Sequence, residues 1–173
     1  MSLVTVIRAD ENYKKFAGIL SATRSKINLD ASLQEVIGLH TARSSRNLMG
    51  ASRYSPKTII DAAAKDISNR ARLVEIRVRN DIALSHLREA MAAIRRYIIT
   101  EYADDLRDYA TVDQRKALVE RVLKSANELI SEGESLLSTI DQFVKDLDQS
   151  GYAIKAIVEC LKLLDSSKAG STV

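Results

Sequence analysis

The feature that most constrains the fold is a long stretch of sequence without helix-breaking residues. Pro56 is the only proline, and no glycine follows it until Gly133. Proline is tolerated at the first position of a helix, where its missing N–H would be unpaired, and the preceding Ser55 is a good N-cap. Apolar residues make up 46% of the chain, which is enough for a buried core. We therefore expect an all-α protein in which a long helix begins at Pro56.

Apolar residues after Pro56 recur at alternating steps of four and three residues, which is the spacing of a coiled-coil seam. The predicted seam consists of Ile60, Ala64, Ile67, Ala71, Val74, Val78 and Ile82, and then of Leu84, Leu87, Met91, Ile94 and Ile98. Its phase shifts between Asn80 and Leu84, near Asp81. A shift of this kind is a stutter, which changes the local winding. This first arm is predicted to extend to about residue 109.

A second long helix is predicted to begin at Thr111, because Thr111 and Gln114 have the spacing of a capping box. Its seam consists of Val119, Leu123, Ala126, Ile130, Gly133, Leu137, Ile140, Val144, Leu147, Gly151, Ile154, Val158 and Leu161. The two seam glycines suggest the close approach of another backbone or of a bulky side chain. Gly151 could instead end the helix, but we favour continuity to about residue 164. The two arms then form a long antiparallel helical hairpin, or coiled coil.

Two short helices and an extended segment are expected before the hairpin. Residues 3–8 are rich in β-branched side chains and could form an extended segment or a short strand that pairs with a neighbouring subunit. Asp10 is expected to cap a helix that ends near Asn28, and Asp30 to cap a second one that ends near Gly50. The predicted organisation is an N-terminal arm (1–55), the hairpin (56–165) and a disordered tail (166–173), within a single domain.

Charge is unevenly distributed along a chain whose net charge is +3. Residues 38–97 carry 12 Lys and Arg against 5 Asp and Glu, a balance of +7, and residues 98–165 carry 8 against 14, a balance of −6. The two arms could simply attract one another because their charges are opposite. Alternatively, the basic arm could bind a polyanion.

Basic residues and small hydroxyls concentrate just before the first arm. Residues 43–57 contain four basic residues, four serines and no acidic residue, a composition that suits phosphate contacts without base reading. Tyr54 and Tyr97 adjoin arginines and could stack on single-stranded bases. The candidate nucleic-acid-binding residues are Arg43, Arg46, Arg53, Lys57, Arg70, Arg72, Arg77 and Arg79.

Motifs for catalysis, metal binding or membrane insertion are not found in the sequence. His40 and His86 fall on separate predicted helices, without Cys or Glu at metal-ligand spacing. Cys160 is the only cysteine, so an intrachain disulfide is not possible. No stretch approaches the roughly 18 apolar residues of a membrane span. We expect a protein that is not an enzyme, has no cofactor and no metal, and is located in the cytoplasm or, if viral, in the host cytoplasm or virion.

Two segments of the C-terminal half resemble a known family. They are Asn127-Glu128-Leu129-Ile130 and an aromatic-x-Ile-Lys segment within residues 151–157. Together they resemble the last helices of the phage UvsY-type recombination mediators. The resemblance implies a ring-forming helical protein that binds single-stranded DNA and helps to load a recombinase. The chain departs from the family in lacking its tryptophans and its Tyr-Tyr-Thr-Gly-like turn.

Two functional hypotheses follow from the sequence. In the first, the chain is a non-catalytic, self-associating helical protein that binds single-stranded nucleic acid non-specifically through its basic face, as a recombination accessory would. In the second, it is a structural subunit, adaptor or scaffold of a virion or another large assembly. Both predict homo-oligomers. Either would allow the hairpin to pack within one chain or between chains.

Overall fold

The structure, a computed structural model, describes residues 2–42, 55–109 and 111–169. Helices make up nearly all of these ranges, which contain no strand. The helices are α1 (Leu3–Ala9), α2 (Glu11–Arg24), α3 (Leu29–Thr41), α4 (Pro56–Glu101), α5 (Ala103–Arg107), α6 (Val112–Val122) and α7 (Lys124–Ala169). The predicted all-α class is confirmed, and the long helices α4 and α7 pack against each other.

Both predicted starts of the hairpin arms are confirmed. The hydroxyl oxygen of Ser55 accepts the backbone N–H of Thr58 at 3.1 Å, and α4 begins at Pro56. The hydroxyl oxygen of Thr111 accepts the backbone N–H of Gln114 at 3.2 Å, which completes the predicted capping box. These side chains satisfy N–H groups that have no partner within the helix.

Each arm is interrupted once near the hairpin turn. Tyr102 separates α4 from α5, and Leu123 separates α6 from α7. The side chains of Tyr102 and Leu123 are both buried in the hydrophobic core of this region. The predicted continuity past Gly151 is confirmed, because α7 runs on to Ala169, into the tail that the sequence predicts to be disordered. Residues 170–173 lie outside the described residues.

The prediction of an extended segment over residues 3–8 is wrong, because these residues form α1. The hydroxyl oxygen of Ser2 accepts the backbone N–H of Thr5 at 3.3 Å and caps the helix. Helical geometry lets Leu3 and Val4 pack on the core, and it buries Ile7 completely. The burial of this face outweighs the preference of Val and Ile for strands, which depends strongly on context.

The two following helices match the sequence prediction in part. Asp10 caps α2 as predicted. The prediction that Asp30 caps α3 is wrong, because the helix already begins at Leu29. Asp30 lies in the first turn instead, where a carboxylate interacts favourably with the helix dipole. The helix ends at Thr41, and the predicted stop at Gly50 lies outside the described residues.

The chain divides into two compact units, whereas the sequence predicts a single domain. The first unit comprises Met1–Asp30 and Val78–Leu137, and the second comprises Ala31–Arg77 and Ser138–Val173. Both α4 and α7 contribute residues to each unit. Three short helices, α1, α5 and α6, belong to the first unit together with α2, and α3 belongs mainly to the second.

The core of the first unit confirms the predicted seam in the C-terminal half of α4. Its members Leu84, Leu87, Met91, Ile94 and Ile98 are all fully buried. The second arm contributes Val119, Leu123 and Ala126 from its predicted seam, all at most 4% exposed. A Cβ atom added to Gly133 would lie only 2.6 Å from both Cδ atoms of Leu84, so the glycine admits this leucine between the arms. The predicted close approach is confirmed at Gly133 and is wrong at Gly151, where nothing lies within 4 Å of an added Cβ.

In the second unit the predicted seam of α4 is wrong. Ile60 and Ile67 are 65% and 68% exposed. The buried residues lie one or two positions earlier, and we call them the inner seam: Ile59, Ala62, Asp66, Asn69, Leu73 and Ile76. The apolar pattern of this face is hard to recognise in the sequence, because Asp66 and Asn69 interrupt it. Burial of Asn69 is possible because its side-chain amide donates to the backbone carbonyl of Leu39 at 3.4 Å.

The two seam glycines give a matched pair of substitutions. Gly133→Ala should lower the free energy of unfolding by about 1 kcal/mol, because an overpacking cost of about 1–3 kcal/mol exceeds the helix-propensity gain of about 1 kcal/mol. Gly151→Ala should raise it by up to about 1 kcal/mol, since nothing lies within 4 Å of an added Cβ. Urea unfolding measures both, and equal effects would contradict the close contact with Leu84.

Asp10 should make the first unit sensitive to acid. Its carboxylate accepts the backbone N–H of Tyr13 at 2.7 Å and the hydroxyl of Tyr97 at 2.8 Å, and these bonds lower the pKa of Asp10. Because the pKa is lower when folded, this stabilisation is complete above the ordinary pKa of about 3.9 and is lost as pH falls below it. Asp10→Asn keeps a capping side chain. The wild type should therefore lose more stability than this variant between pH 7 and pH 3, and equal losses in urea unfolding would refute the role of Asp10.

Candidate nucleic-acid interface

The eight predicted nucleic-acid-binding residues fall into two groups. Arg43, Arg46 and Arg53 lie outside the described residues. The other five lie on α4, and they are Lys57, Arg70, Arg72, Arg77 and Arg79. Lys57 is exposed in the first turn of the helix, and Arg79 is exposed and has an interaction partner of its own.

Two of these arginines form forked ion pairs with α7. Arg70 donates through Nε to one carboxylate oxygen of Asp148 at 2.6 Å and through Nη2 to the other at 3.3 Å. Arg77 makes the same pair of bonds with Asp141, at 2.6 and 3.3 Å. The hydrogen bonds and charge of Asp148 raise the pKa of Arg70. Both guanidinium groups are therefore committed to carboxylates within the second unit.

Arg72 is held by two carboxylates. It donates through Nε to Glu35 of α3 at 2.6 Å and through Nη1 to Glu75, one turn along α4, at 2.7 Å. Both hydrogen bonds raise the pKa of Arg72 above its ordinary value, and the bond to Glu35 has the larger effect. Its place in the structure is a link between α3 and α4, and phosphate binding would have to break that link.

Similar pairs join the arms in the first unit. Arg88 donates to Glu134 at 2.8 Å, and Arg95 makes two bonds of 2.8 and 2.9 Å with Glu120. Asn127 also donates to Glu120 at 2.6 Å. The bonds from Arg95 and Asn127 lower the pKa of Glu120 despite its partial burial. Attraction between oppositely charged arms, one of the two interpretations of the uneven charge, thus accounts for these arginines.

Tyr97 does not offer the stacking surface that the sequence suggests. Its ring is half-buried in the first unit and packs against Phe16 with a centroid distance of 5.2 Å. Burial and the hydrogen bond to Asp10 raise the pKa of Tyr97 to about 12. Tyr97 is thus a partly buried residue that packs against the core, and its hydroxyl donates to Asp10. The other predicted stacking residue, Tyr54, lies outside the described residues.

The histidine that sequence analysis set aside has a defined environment in the second unit. The ring of His40 stacks on Phe143 with a centroid distance of 3.6 Å, and its Nε2 lies 3.4 Å from a carboxylate oxygen of Asp146. This contact joins α3 to α7. Within the described residues there is no group of three or more His, Cys, Asp and Glu that could hold a metal ion.

A feature that sequence analysis assigned to the core is instead on the surface of the second unit. We call it the outer stripe: Ile60, Ala64, Ile67, Ala71 and Val74. Its members are exposed, except for the half-buried Val74. At 3.6 residues per turn, the stripe lies about 150° around α4 from the inner seam. Further along the same helix, Val78 and Ile82 of the first unit are 47% and 55% exposed.

Comparisons with protein families, with curated proteins and with solved structures found no match for this chain. The resemblance to the recombination mediators therefore stays a prediction. Among the described residues, no helix is long and apolar enough to cross a membrane.

Binding of single-stranded oligonucleotides should depend on residues 43–57 and not on the paired arginines. Replacing Arg43, Arg46 and Arg53 by Gln should reduce the log–log salt slope of binding by about 2, at about 0.7 per phosphate contact. Arg70→Gln with Arg77→Gln should leave the slope unchanged. Fluorescence anisotropy measures both slopes, and an absence of binding by the wild type at about 50 mM salt would refute the predicted interface.

Proposed function

We propose that this chain is a non-catalytic, self-associating helical protein that serves as a subunit or adaptor of a larger assembly. The observation that supports the proposal is the outer stripe of α4. A helix that is apolar on opposite faces is usually covered on both. In the second unit α7 and α3 cover one side of α4, and the outer stripe is left exposed.

The contrast between the two long helices strengthens this argument. On α7 the buried residues Leu137, Ile140 and Leu147 follow one face of the helix. On α4 the apolar residues are shared between the inner seam and the outer stripe. Ile67, which is 68% exposed, lies one position from the buried Asp66. The cost of hydrating such a stripe is relieved when another helix covers it.

A second copy of this chain is the partner that the stripe fits best. In an antiparallel pair of α4 helices centred near residue 69, Ile67 would face Ala71 of the second copy and Ala64 would face Val74. In both contacts a large side chain would meet a small one, which allows the two faces to interdigitate. Arg70 and Arg77 border the stripe, and because Asp148 and Asp141 neutralise them, the border has no strong field that would select a polyanion.

Single-stranded nucleic acid remains a proposed additional partner through residues 43–57, and Lys57, which is exposed, supports it. The recombination-accessory role implied by the family resemblance would need both properties, association and DNA binding. Association is the better supported of the two, because three of the five predicted DNA-binding residues on α4 are already paired with carboxylates.

Ile67→Lys should abolish or weaken self-association without unfolding the chain. A charged residue at the centre of an apolar helix contact should raise the dissociation constant at least about tenfold. The matched control is Leu163→Lys on α7, since Leu163 is 69% exposed and Ile67 is 68% exposed, and neither change disturbs a core. Light scattering after size exclusion, over a range of concentrations, measures the mass.

The expected result is an oligomeric wild type, an oligomeric Leu163→Lys variant and a monomeric Ile67→Lys variant, all with the same helix content by circular dichroism. A wild type that is monomeric at every concentration would overturn the proposal. An Ile67→Lys variant with the same mass as the wild type would place the interface elsewhere and would also overturn it.

A further inference from the structure

The first unit contains an apolar groove where the arms meet near the hairpin turn. It has a volume of about 590 Å³ and is formed by the end of α4, by α5 and by the start of α6. Its floor contains Leu106 and Val119, which are 6% and 4% exposed. Its walls carry Ile99 and Val112, which remain 56% and 61% exposed. The groove therefore presents apolar surface in a concave shape.

Cationic side chains surround this apolar surface. Arg95, Arg107, Arg115 and Lys116 line the groove, and Glu120 is the one carboxylate that lines it with them. Arg95 binds Glu120 through two hydrogen bonds, so this pair is close to neutral. The lining residues themselves therefore carry a net charge of +3, of which the charge of Arg107 is opposed by Asp104 at 2.8 Å.

The three remaining cations are placed to receive an anion. Arg115 is oriented by its Nε–H group, which donates to the backbone carbonyl of Tyr109 at 3.1 Å. Arg107 pairs with Asp104 at 2.8 Å, but the two side chains are 75% and 91% exposed, and an ion pair so exposed is weak and easily exchanged. Lys116 is exposed at the rim.

We propose that this groove binds an amphipathic anion, with an apolar chain on Ile99 and Val112 and a terminal carboxylate among Arg107, Arg115 and Lys116. Small-molecule sites have volumes of about 300–1,000 Å³, mostly apolar linings and a few polar groups that fix orientation. Arginine suits a carboxylate because two of its N–H groups can bind both oxygens. The ligand class is a free long-chain carboxylate.

The size of the groove favours such a ligand over a docked helix. Its volume of about 590 Å³ lies within the range of about 300–1,000 Å³ that is typical of small-molecule sites. An α-helix with its side chains is about 10 Å in diameter, whereas a single extended acyl chain is slender enough to lie within the groove. The inference uses no residue of the outer stripe and does not depend on self-association.

Calorimetric titration of the full chain with sodium dodecanoate, below its micelle concentration, tests the proposal. The wild type should bind dodecanoate at least about tenfold more tightly than dodecylammonium, which has the same chain and the opposite charge. Arg107→Gln with Lys116→Gln should weaken dodecanoate binding about three- to tenfold, in the range expected for two exposed charge contacts. Lys145→Gln with Lys162→Gln, which removes two exposed charges outside the groove, should leave it unchanged.

Val112→Glu tests the apolar wall, and it should abolish binding while circular dichroism stays unchanged, because Val112 is more exposed than buried. Equal affinity for dodecanoate and dodecylammonium would overturn the proposal, as would equal weakening by the groove and control variants. Co-sedimentation with phosphatidylglycerol vesicles, without binding of free dodecanoate, would also overturn it by assigning the surface to a membrane.

Discussion

The constraint on which the structure depends is that α7 has one apolar face and α4 has two. Helices of this length are stabilised mainly by packing and not by intrinsic propensity, so α7 must bury its face against α4. Only one face of α4 can meet it. In the second unit the inner seam does so, even though it contains Asp66 and Asn69, because α3 supplies a backbone carbonyl for the buried amide. The outer stripe is the consequence of this choice.

The same packing determines what the charges do. Once α4 and α7 lie side by side and antiparallel, arginines at the border of the seam meet carboxylates of the other arm, as in Arg77 with Asp141 and Arg88 with Glu134. Exposed pairs of this kind contribute little stability each, at about 0–1 kcal/mol. Their larger effect is on the surface field, because they remove most of the polyanion attraction that the sequence suggests for α4. The groove of the first unit differs, because its lining residues comprise four cations and one carboxylate.

Local signals and one-sided patterns could be predicted from the sequence, and choices between competing faces could not. Ser55 and Thr111 mark the starts of their helices because their hydroxyls cap backbone N–H groups of the first turn. Residues 84–98 of α4 have only one apolar face to bury. Residues 56–80 offer two, and the more apolar one is exposed. The other is buried, and the backbone carbonyl of Leu39, far away in the sequence, accepts a hydrogen bond from its Asn69. The groove was missed for a related reason. Ile99, Arg107 and Val112 belong to three different helices, and only the folded turn brings them together.

The two proposed surfaces differ in the force that would fill them. The outer stripe is apolar with neutralised borders, so its association should respond to salt as the hydrophobic effect does, weakly or with some strengthening. The groove combines apolar burial with unbalanced positive charge, and the electrostatic part of its affinity should fall as salt shortens the screening length from about 10 Å at 0.1 M to about 3 Å at 1 M. A chain that used one surface for both purposes would show one salt dependence. Opposite responses of mass and ligand affinity to salt would therefore show that assembly and anion binding are separate properties of this protein.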